Sequence, residues 1–242
     1  MINLIMPMGG AGSRFSENNI VLPKPLISIS GKPFFYWATE SIRKYCALKS
    51  LSFVVLQKHI DENSIDKAIT SLYPEARLVI LPEILNGAVL TCLEGVKLID
   101  NDLPVVFNDC DHMFYAPSFY QACNSYDSEV DGLLLTFESQ EPKYSFLEFN
   151  EDGYVKRTVE KQVISHDAIC GAYLFKNKRI FINSAQEYLN LCSYNEFYIS
   201  GVYNIMSNEG KRIAAKRVIW HLPFGTPEEY FAAKQSPYFE GL

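Results

Sequence analysis

The sequence has no CxxC pair, no apolar run long enough to cross a membrane, and no Pro-, Gly- or Ser-rich tract that would separate two units. It also has no excess of positive charge: Lys and Arg number 22 against 28 Asp and Glu, a net charge of −6. Nucleic-acid-binding surfaces are normally basic, so that class is excluded, and no segment calls for a membrane partner. A protein of this charge that binds phosphates must do so with a few placed cations and with backbone amides. The apolar start, Met1 to Met8, lacks a basic leader and runs straight into glycines, unlike a secretory signal. The six cysteines (Cys46, Cys92, Cys110, Cys123, Cys170 and Cys192) are scattered. They read as reduced thiols, mostly in the core, of a cytoplasmic protein.

What is present is an alternation of strand and helix. Ile2 to Met6, Leu51 to Leu56, Arg77 to Leu81 and Leu103 to Phe107 are short apolar runs that read as buried strands. Between them, Phe34 to Tyr45, Asp61 to Tyr73 and Asn86 to Ile99 have helical spacing. Near-continuous apolar strands separated by amphipathic helices predict a parallel sheet covered on both faces. After Asp131 the rhythm changes. Gly132 to Phe137, Phe146 to Phe149, Tyr154 to Glu160 and Ile169 to Phe175 predict strands, with Asn150 to Gly153 as a hairpin turn. Helices are predicted over Arg179 to Leu191, Glu196 to Asn208 and Pro227 to Lys234, and a strand over Arg212 to Trp220. The expected fold is α/β: one Rossmann-like unit over residues 1–242, with a mixed, mostly parallel sheet flanked by helices on both faces.

The densest motif is Gly9-Gly10-Ala11-Gly12-Ser13-Arg14-Phe15, directly after the first strand. Glycines let the backbone approach a ligand and adopt positive φ, so that successive N–H groups converge on phosphate oxygens. Arg14 adds a forked, permanently charged donor. Ligands of open α/β sheets bind beyond the carboxyl ends of strands, where this loop falls. Pro23-Lys24-Pro25-Leu26 and Gly31-Lys32-Pro33 follow. The flanking prolines fix the backbone of Lys24 and aim its ammonium, which can offset charge growing at a phosphorus centre.

GGAGSRF followed by PKPL and GKP resembles the N-terminal signature of sugar-phosphate nucleotidyltransferases, the nucleoside-diphosphate-sugar pyrophosphorylases, whose usual form is GGxGxRL and then PKP. The resemblance implies backbone contacts from Gly9, Gly10 and Gly12 to base and phosphates, with Met8 and Ser13 beside them. It implies Arg14 on the triphosphate and Lys24 on the reacting phosphate. It also implies a nucleotide-binding half over roughly residues 1–130 and an acceptor half over 131–242. SRFSENNIVLPKPL resembles cytidylyltransferases, which points to CTP.

Later segments follow the same order. Asn86-Gly87-Ala88 resembles the segment that reads the nucleobase, or is simply a helix start. Asn108-Asp109-Cys110-Asp111-His112-Met113-Phe114 follows a strand. Carboxylates there suit Mg²⁺, a hard cation that bridges phosphates. The resemblance assigns the metal to Asp111, with Asp109 as a second candidate. Cys110 and His112 suggest zinc, but no distant partner with suitable spacing is legible; His112 is expected to point away or to assist binding. Glu160-Lys161 resembles the EKP element, with Gln162 in place of proline, which implies that Glu160 binds acceptor hydroxyls and Lys161 the acceptor phosphate. The alternative is a cross-strand ion pair of little weight. Gly171 resembles the glycine that lets the acceptor approach. Trp220 to Tyr230 resembles W-x-D-x-GTPEDY, with Pro223 where that family has a second metal-binding aspartate; Thr226 to Glu229 also read as a capped helix start.

The implied activity transfers a nucleoside monophosphate from an NTP to a sugar phosphate or another phosphorylated alcohol, as a precursor of a surface polysaccharide, with release of pyrophosphate. Asp109-Cys110-Asp111 is also a D-x-D, as in glycosyltransferases of the related GT-A fold. A non-catalytic sensor of nucleotide sugars is a third reading, favoured by Pro223. The expected partners are the NTP and the phosphorylated small molecule, in a chain free to form a homo-oligomer.

Overall fold

Leu4 and Met6 point to one side of the first strand and Ile5 to the other, and all three are fully buried. A strand that hides both faces must lie inside a sheet with helices above and below it. The computed structural model describes residues 1–10, 12–125 and 129–239. In chain order it forms β1 (Ile2–Pro7), α1 (Ser13–Ser16), β2 (Ser28–Ile29), β3 (Lys32–Pro33), α2 (Phe34–Arg43), β4 (Leu48–Leu56), α3 (Gln57–Asn63), α4 (Ile65–Leu72) and β5 (Arg77–Leu81). These are followed by α5 (Ala88–Val96), β6 (Val105–Asn108), β7 (His112–Tyr115), α6 (Pro117–Asn124), β8 (Gly132–Glu138), β9 (Ser145–Phe149), β10 (Val155–Glu160) and β11 (Asp167–Phe175). The chain continues through α7 (Lys178–Leu191), α8 (Ile199–Asn208), β12 (Ile213–Arg217), β13 (Trp220–Pro223) and α9 (Pro227–Ala233).

The main sheet runs β10-β9-β11-β6-β1-β4-β5, with β8 paired to β11 and β12 to β8. β5, β4, β1 and β6 are parallel. β11 runs against β6, β8 and β9, and β10 runs against β9, so only these two strands oppose the rest. This is the mixed, mostly parallel sheet that the sequence predicts. On one face it packs Phe35, Ala38 and Ile42 of α2, Ile65 and Ile69 of α4, and Phe119 of α6. On the other it packs Val89 and Cys92 of α5, Phe181 and Ala185 of α7, and Val202 and Met206 of α8. No helix among the described residues is long and apolar enough to cross a membrane.

Phe107, fully buried just before the Asn108–Asp111 turn, has its ring 4.5 Å from that of Phe181 and 5.7 Å from that of Phe175. Truncating such an aromatic costs about 3–5 kcal/mol, so this turn is anchored by one of the best-packed points of the core. A third, smaller cluster ties together segments far apart in sequence: Phe15 of the glycine loop, Ile27 after the Lys24 turn, Phe34, Met113, Phe224 and Ala233.

Several elements differ from the sequence prediction, among them helix α6, which the sequence pattern does not indicate. The helix expected over Asp61 to Tyr73 is two helices that meet at Ser64, which is left-handed (φ 52°). His59 and Ile65 are both buried, yet on one straight helix they would point about 120° apart, so the break lets both reach the interior. The strand expected over Arg212 to Trp220 ends at Arg217, and the chain leaves β8 to pair β13 with β7, setting Pro223 opposite His112. The segment from His112 to Tyr115, for which the sequence predicts no element, is strand β7. The turn at Asn150 to Gly153 forms as predicted, with Asn150 N donating to Tyr154 O at 2.8 Å and Gly153 at φ 80°.

Candidate active site

The carboxyl ends of β1 and β6 face two adjoining cavities, the end of an α/β sheet where ligands bind. The larger, of about 570 Å³, is walled by Met8, Gly9, Gly10, Lys24, Asn86 and Gly87. The smaller, of about 160 Å³, is walled by Arg14, Lys143, Tyr144, Gly171, His221 and Glu229. Asp109 and Asp111 line both. Another hollow, of about 610 Å³, lies at the amino ends of β4 and β5 near Lys49 and Arg77, the opposite edge of the sheet, and carries none of the motifs.

The glycine loop sits against the sheet because it cannot do otherwise. A side chain at Gly9 would bring its Cβ to 2.9 Å from Leu81 Cδ1, whereas one at Gly10 would meet nothing within 4 Å, so Gly10 borders open space. Gly12 is left-handed (φ 63°), a conformation that favours glycine. Ala11 and the Ser13 side chain lie outside the described residues. Asn86 is on the cavity wall. Gly87 is also required by packing: at φ 97° its Cβ would lie 2.7 Å from Phe197 O, and that carbonyl accepts from Val89 N at 3.1 Å.

Lys24 opens a short 3₁₀ turn between Pro23 and Pro25, closed by Leu26 N donating to Pro23 O at 2.8 Å. Its Nζ donates to Asp111 Oδ2 at 2.8 Å. Burial works against the ammonium, but the Asp111 charge beside it holds the Lys24 pKa above the ordinary lysine value. Burial would likewise raise Asp111, yet Lys24 holds it below the usual carboxylate range. For Asp109, burial and then the Asp111 charge push the pKa up, against the pull of Lys24. Fully ionised, the pair would carry more negative charge than one lysine offsets, so Asp109 keeps its proton more readily than an ordinary carboxylate does.

The two aspartates are placed by different strands. Phe224 N, just past β13, donates to Asp111 O at 2.8 Å, and Gly225 leaves its Cα against the Asp111 carboxylate, with no room there for a Cβ. Asp109 N donates to Gly171 O at 2.9 Å. Gly171 is the point where β11 changes partners: Ala172 to Phe175 pair with β6, whereas Ala168 pairs with β9. It is left-handed (φ 54°), and a Cβ there would lie 2.8 Å from Asp109 Oδ2. The sheet opens at this glycine, and the opening is occupied by the Asp109 carboxylate.

The acceptor residues implied by the resemblance are distributed differently. Gly171 lines the smaller cavity, but neither Glu160 nor Lys161 is on the wall of either cavity. Glu160 accepts from the hydroxyls of Ser145 and Ser200. Lys161 Nζ donates to Tyr198 Oη at 2.8 Å and lies 5.0 Å from the centre of that ring. The cation that does line the smaller cavity, besides Arg14, is Lys143, 2.8 Å from Glu229 Oε1. Pro142-Lys143 repeats the Pro-Lys pairing that singled out Lys24, and that was the available signal. Glu229 also accepts from Tyr144 Oη at 2.7 Å and from the backbone N–H groups of Gly225 and Thr226, both at 3.0 Å. It thus joins the expected helix cap of α9 to the cavity wall.

Pro223 lines the smaller cavity, where Asp109 and Asp111 are both present. The absence of a distant partner for His112 was an artefact of reading along the chain: Cys170 and His221 both reach it, while Cys110 borders the larger cavity. Burial pushes His112 down to about 4, and His221 also lies well below the ordinary histidine value.

No family model matches the sequence, and no curated protein is similar to it. Among solved structures, the chain is similar to the nucleoside-diphosphate-sugar pyrophosphorylase of Vibrio cholerae RC9, with a TM-score of 0.83 and 22% identity over 96% of this chain and 100% of that one. It is similar to the inositol-1-phosphate CTP transferase of T. maritima, with a TM-score of 0.78 and 16% identity over 100% and 97% of the two chains. It is also similar to a UDP-glucose pyrophosphorylase solved with UDP-glucose, with a TM-score of 0.79 and 21% identity over 98% and 99%. The chain therefore has the nucleotidyltransferase fold along its whole length.

Proposed function

We propose that this chain is a cytoplasmic sugar-phosphate nucleotidyltransferase that joins the nucleoside monophosphate of an NTP, with CTP as donor, to a sugar 1-phosphate or another phosphorylated alcohol. Pyrophosphate leaves, and the product is an activated precursor for a surface polysaccharide. One observation carries the reading: Lys24 is fixed between two prolines against Asp111, where a cavity of about 570 Å³ meets one of about 160 Å³. A nucleotide fits the first and a small phosphorylated acceptor the second, so their phosphates would meet at Lys24.

An acceptor phosphate oxygen attacks the α-phosphorus in line while the bond to the β-phosphate oxygen breaks, and no covalent enzyme intermediate forms. The monoester is already anionic near neutral pH, so no general base is required. The loop from Met8 to Ser13, with Asn86 and Gly87, holds the nucleotide. Lys24 offsets charge at the α-phosphate and Arg14 takes polyphosphate charge. Lys143 takes the acceptor phosphate, in the role the resemblance gave to Lys161, with Gly171 leaving space for the acceptor. Asp109 and Asp111 would supply hard oxygen ligands, a donor set that fits Mg²⁺. When bound, Mg²⁺ supplies charge neutralisation at the phosphates.

The test is release of pyrophosphate with each of the four NTPs against a panel of phosphorylated sugars and alcohols. The expected result is release with CTP and one class of acceptor. Nucleotide binding without turnover would instead indicate a sensor. Transfer of sugar from a nucleotide sugar, without pyrophosphate, would indicate a glycosyltransferase.

A further inference from the structure

His112, Cys170 and His221 belong to β7, β11 and β13 and meet on the wall of the smaller cavity. His112 Nδ1 lies 3.3 Å from His221 Nε2 and 3.7 Å from Cys170 Sγ. One donor atom from each residue lies within 4.8 Å of the other two. A tetrahedral Zn²⁺ with bonds of about 2.0–2.1 Å to nitrogen and about 2.3 Å to sulfur holds its nitrogens about 3.4 Å apart and nitrogen and sulfur about 3.6 Å apart. The two spacings from His112 are close to these, and Cys170 Sγ lies within 4.8 Å of His221 Nε2.

A second, independent observation fixes which nitrogen of His112 faces the cluster. Asn108 Nδ2 donates to Ala38 O at 2.9 Å, which leaves its amide oxygen 3.1 Å from His112 Nε2. That oxygen can only accept, so the ring proton resides on Nε2 and the Nδ1 lone pair points at His221 and Cys170. A histidine anchored through its outer nitrogen by an oxygen acceptor is how metal sites orient their ligands. Asn108 is itself completely buried, so this support is rigid.

We propose that His112 Nδ1, His221 Nε2 and Cys170 Sγ form a Zn²⁺-binding site, with the fourth ligand drawn from the adjoining cavity. As the ion binds, the thiol proton leaves to solvent and the sulfur coordinates as thiolate. Two imidazoles and a thiolate are borderline-soft ligands that select zinc, whereas the neighbouring Asp109–Asp111 pair offers only hard oxygens. The two sites therefore sort different cations although they share a wall. In the free protein, water occupies the fourth position.

The experiment titrates the whole, chelator-treated, reduced chain with Co²⁺ and follows the thiolate-to-cobalt charge-transfer absorption in the near ultraviolet. One equivalent of Co²⁺ per chain should produce the band, and one equivalent of Zn²⁺ should abolish it, independently of any nucleotide or turnover. Cys170→Ser should lose the band, and His221→Ala should weaken Co²⁺ binding at least about tenfold. Cys110→Ser, between the two aspartates in sequence and on the wall of the larger cavity, should keep it. No band in the unsubstituted protein overturns the proposal by itself, leaving only a hydrogen bond between two histidines. A band that survives Cys170→Ser, or that vanishes in Cys110→Ser, overturns it too, because the thiolate would then belong to the aspartate pair. Should Cys170→Ser fail to fold by circular dichroism, His221→Ala and Cys110→Ser still decide between the two thiols.

Discussion

Lys24 Nζ and Asp111 Oδ2 lie 2.8 Å apart, joining a proline-clamped turn near the amino terminus to the carboxyl end of the β6 segment, 87 positions away. The contact keeps the ammonium charged and aimed at the place where the two cavities meet. A cation placed in advance acts mainly on charge that develops during reaction. Lys24→Ala should therefore lower kcat at least about 100-fold while changing nucleotide affinity less than about tenfold. Steady-state kinetics beside calorimetric nucleotide binding checks this. Equal losses in both quantities would make Lys24 an ordinary binding residue.

Gly171 should tolerate no side chain. Alanine there adds a left-handed backbone penalty and a Cβ 2.8 Å from Asp109 Oδ2. The strain is worth about 1–3 kcal/mol, and the displaced carboxylate should cost more in activity than that loss of stability explains. Urea unfolding and kinetics of Gly171→Ala measure the two separately. An enzyme of full activity with only lowered stability would show that Asp109 does not need its present position.

The parallel half of the fold was legible because β1, β4, β5 and β6 are continuous apolar runs with helical periodicity between them. Lys24 and Asp111 were legible because they sit in compact motifs next to Pro or at a strand end. Lys143 and the His112–Cys170–His221 cluster were not, for a physical reason. The cluster is assembled by strand pairing, β13 on β7 and β11 on β6, which leaves no spacing signature along the chain, whereas Lys143 lies between β8 and β9 and is marked in the sequence only by Pro142 before it. The contact of Lys161 with Tyr198 was not legible, because its motif reads the same whether its ammonium faces a substrate or Tyr198. Only the left-handed backbone at Lys161 (φ 54°) aims it, and a single sequence does not reveal that.

Lys143 is expected to matter for the acceptor and not for the nucleotide. Lys143 lines the smaller cavity and its Nζ is held by Glu229 at 2.8 Å and Glu141 at 2.7 Å, so an arriving phosphate replaces a carboxylate partner with an anion of higher charge. Lys143→Ala should raise the KM for the phosphorylated acceptor roughly tenfold or more, with the NTP KM nearly unchanged. Lys161→Ala should leave both within about twofold, as expected for an exposed side chain that contacts a tyrosine. The reverse pattern in the two variants would restore the assignment that the resemblance implied.

The last prediction concerns Mg²⁺ in the free protein. Pro223 supplies no carboxylate, and Asp111 is already engaged by Lys24 at 2.8 Å, so a cation arriving alone must compete with an ammonium for its main ligand. The Asp109 pKa is raised by burial and by Asp111, and its proton must also be displaced, which weakens capture further. A triphosphate changes both conditions, because it draws Lys24 toward its own oxygens and supplies ligands that the protein lacks. Free protein should therefore bind Mg²⁺ only weakly, and NTP should tighten Mg²⁺ binding at least about tenfold; linkage requires Mg²⁺ to tighten NTP binding by the same factor. Asp111→Asn should abolish this coupling and turnover, Asp109→Asn should lower both less, and excess chelator should stop turnover in the unsubstituted protein. Calorimetric titration with and without nucleotide settles the matter: tight, stoichiometric Mg²⁺ binding to the nucleotide-free chain would mean that Lys24 does not guard Asp111.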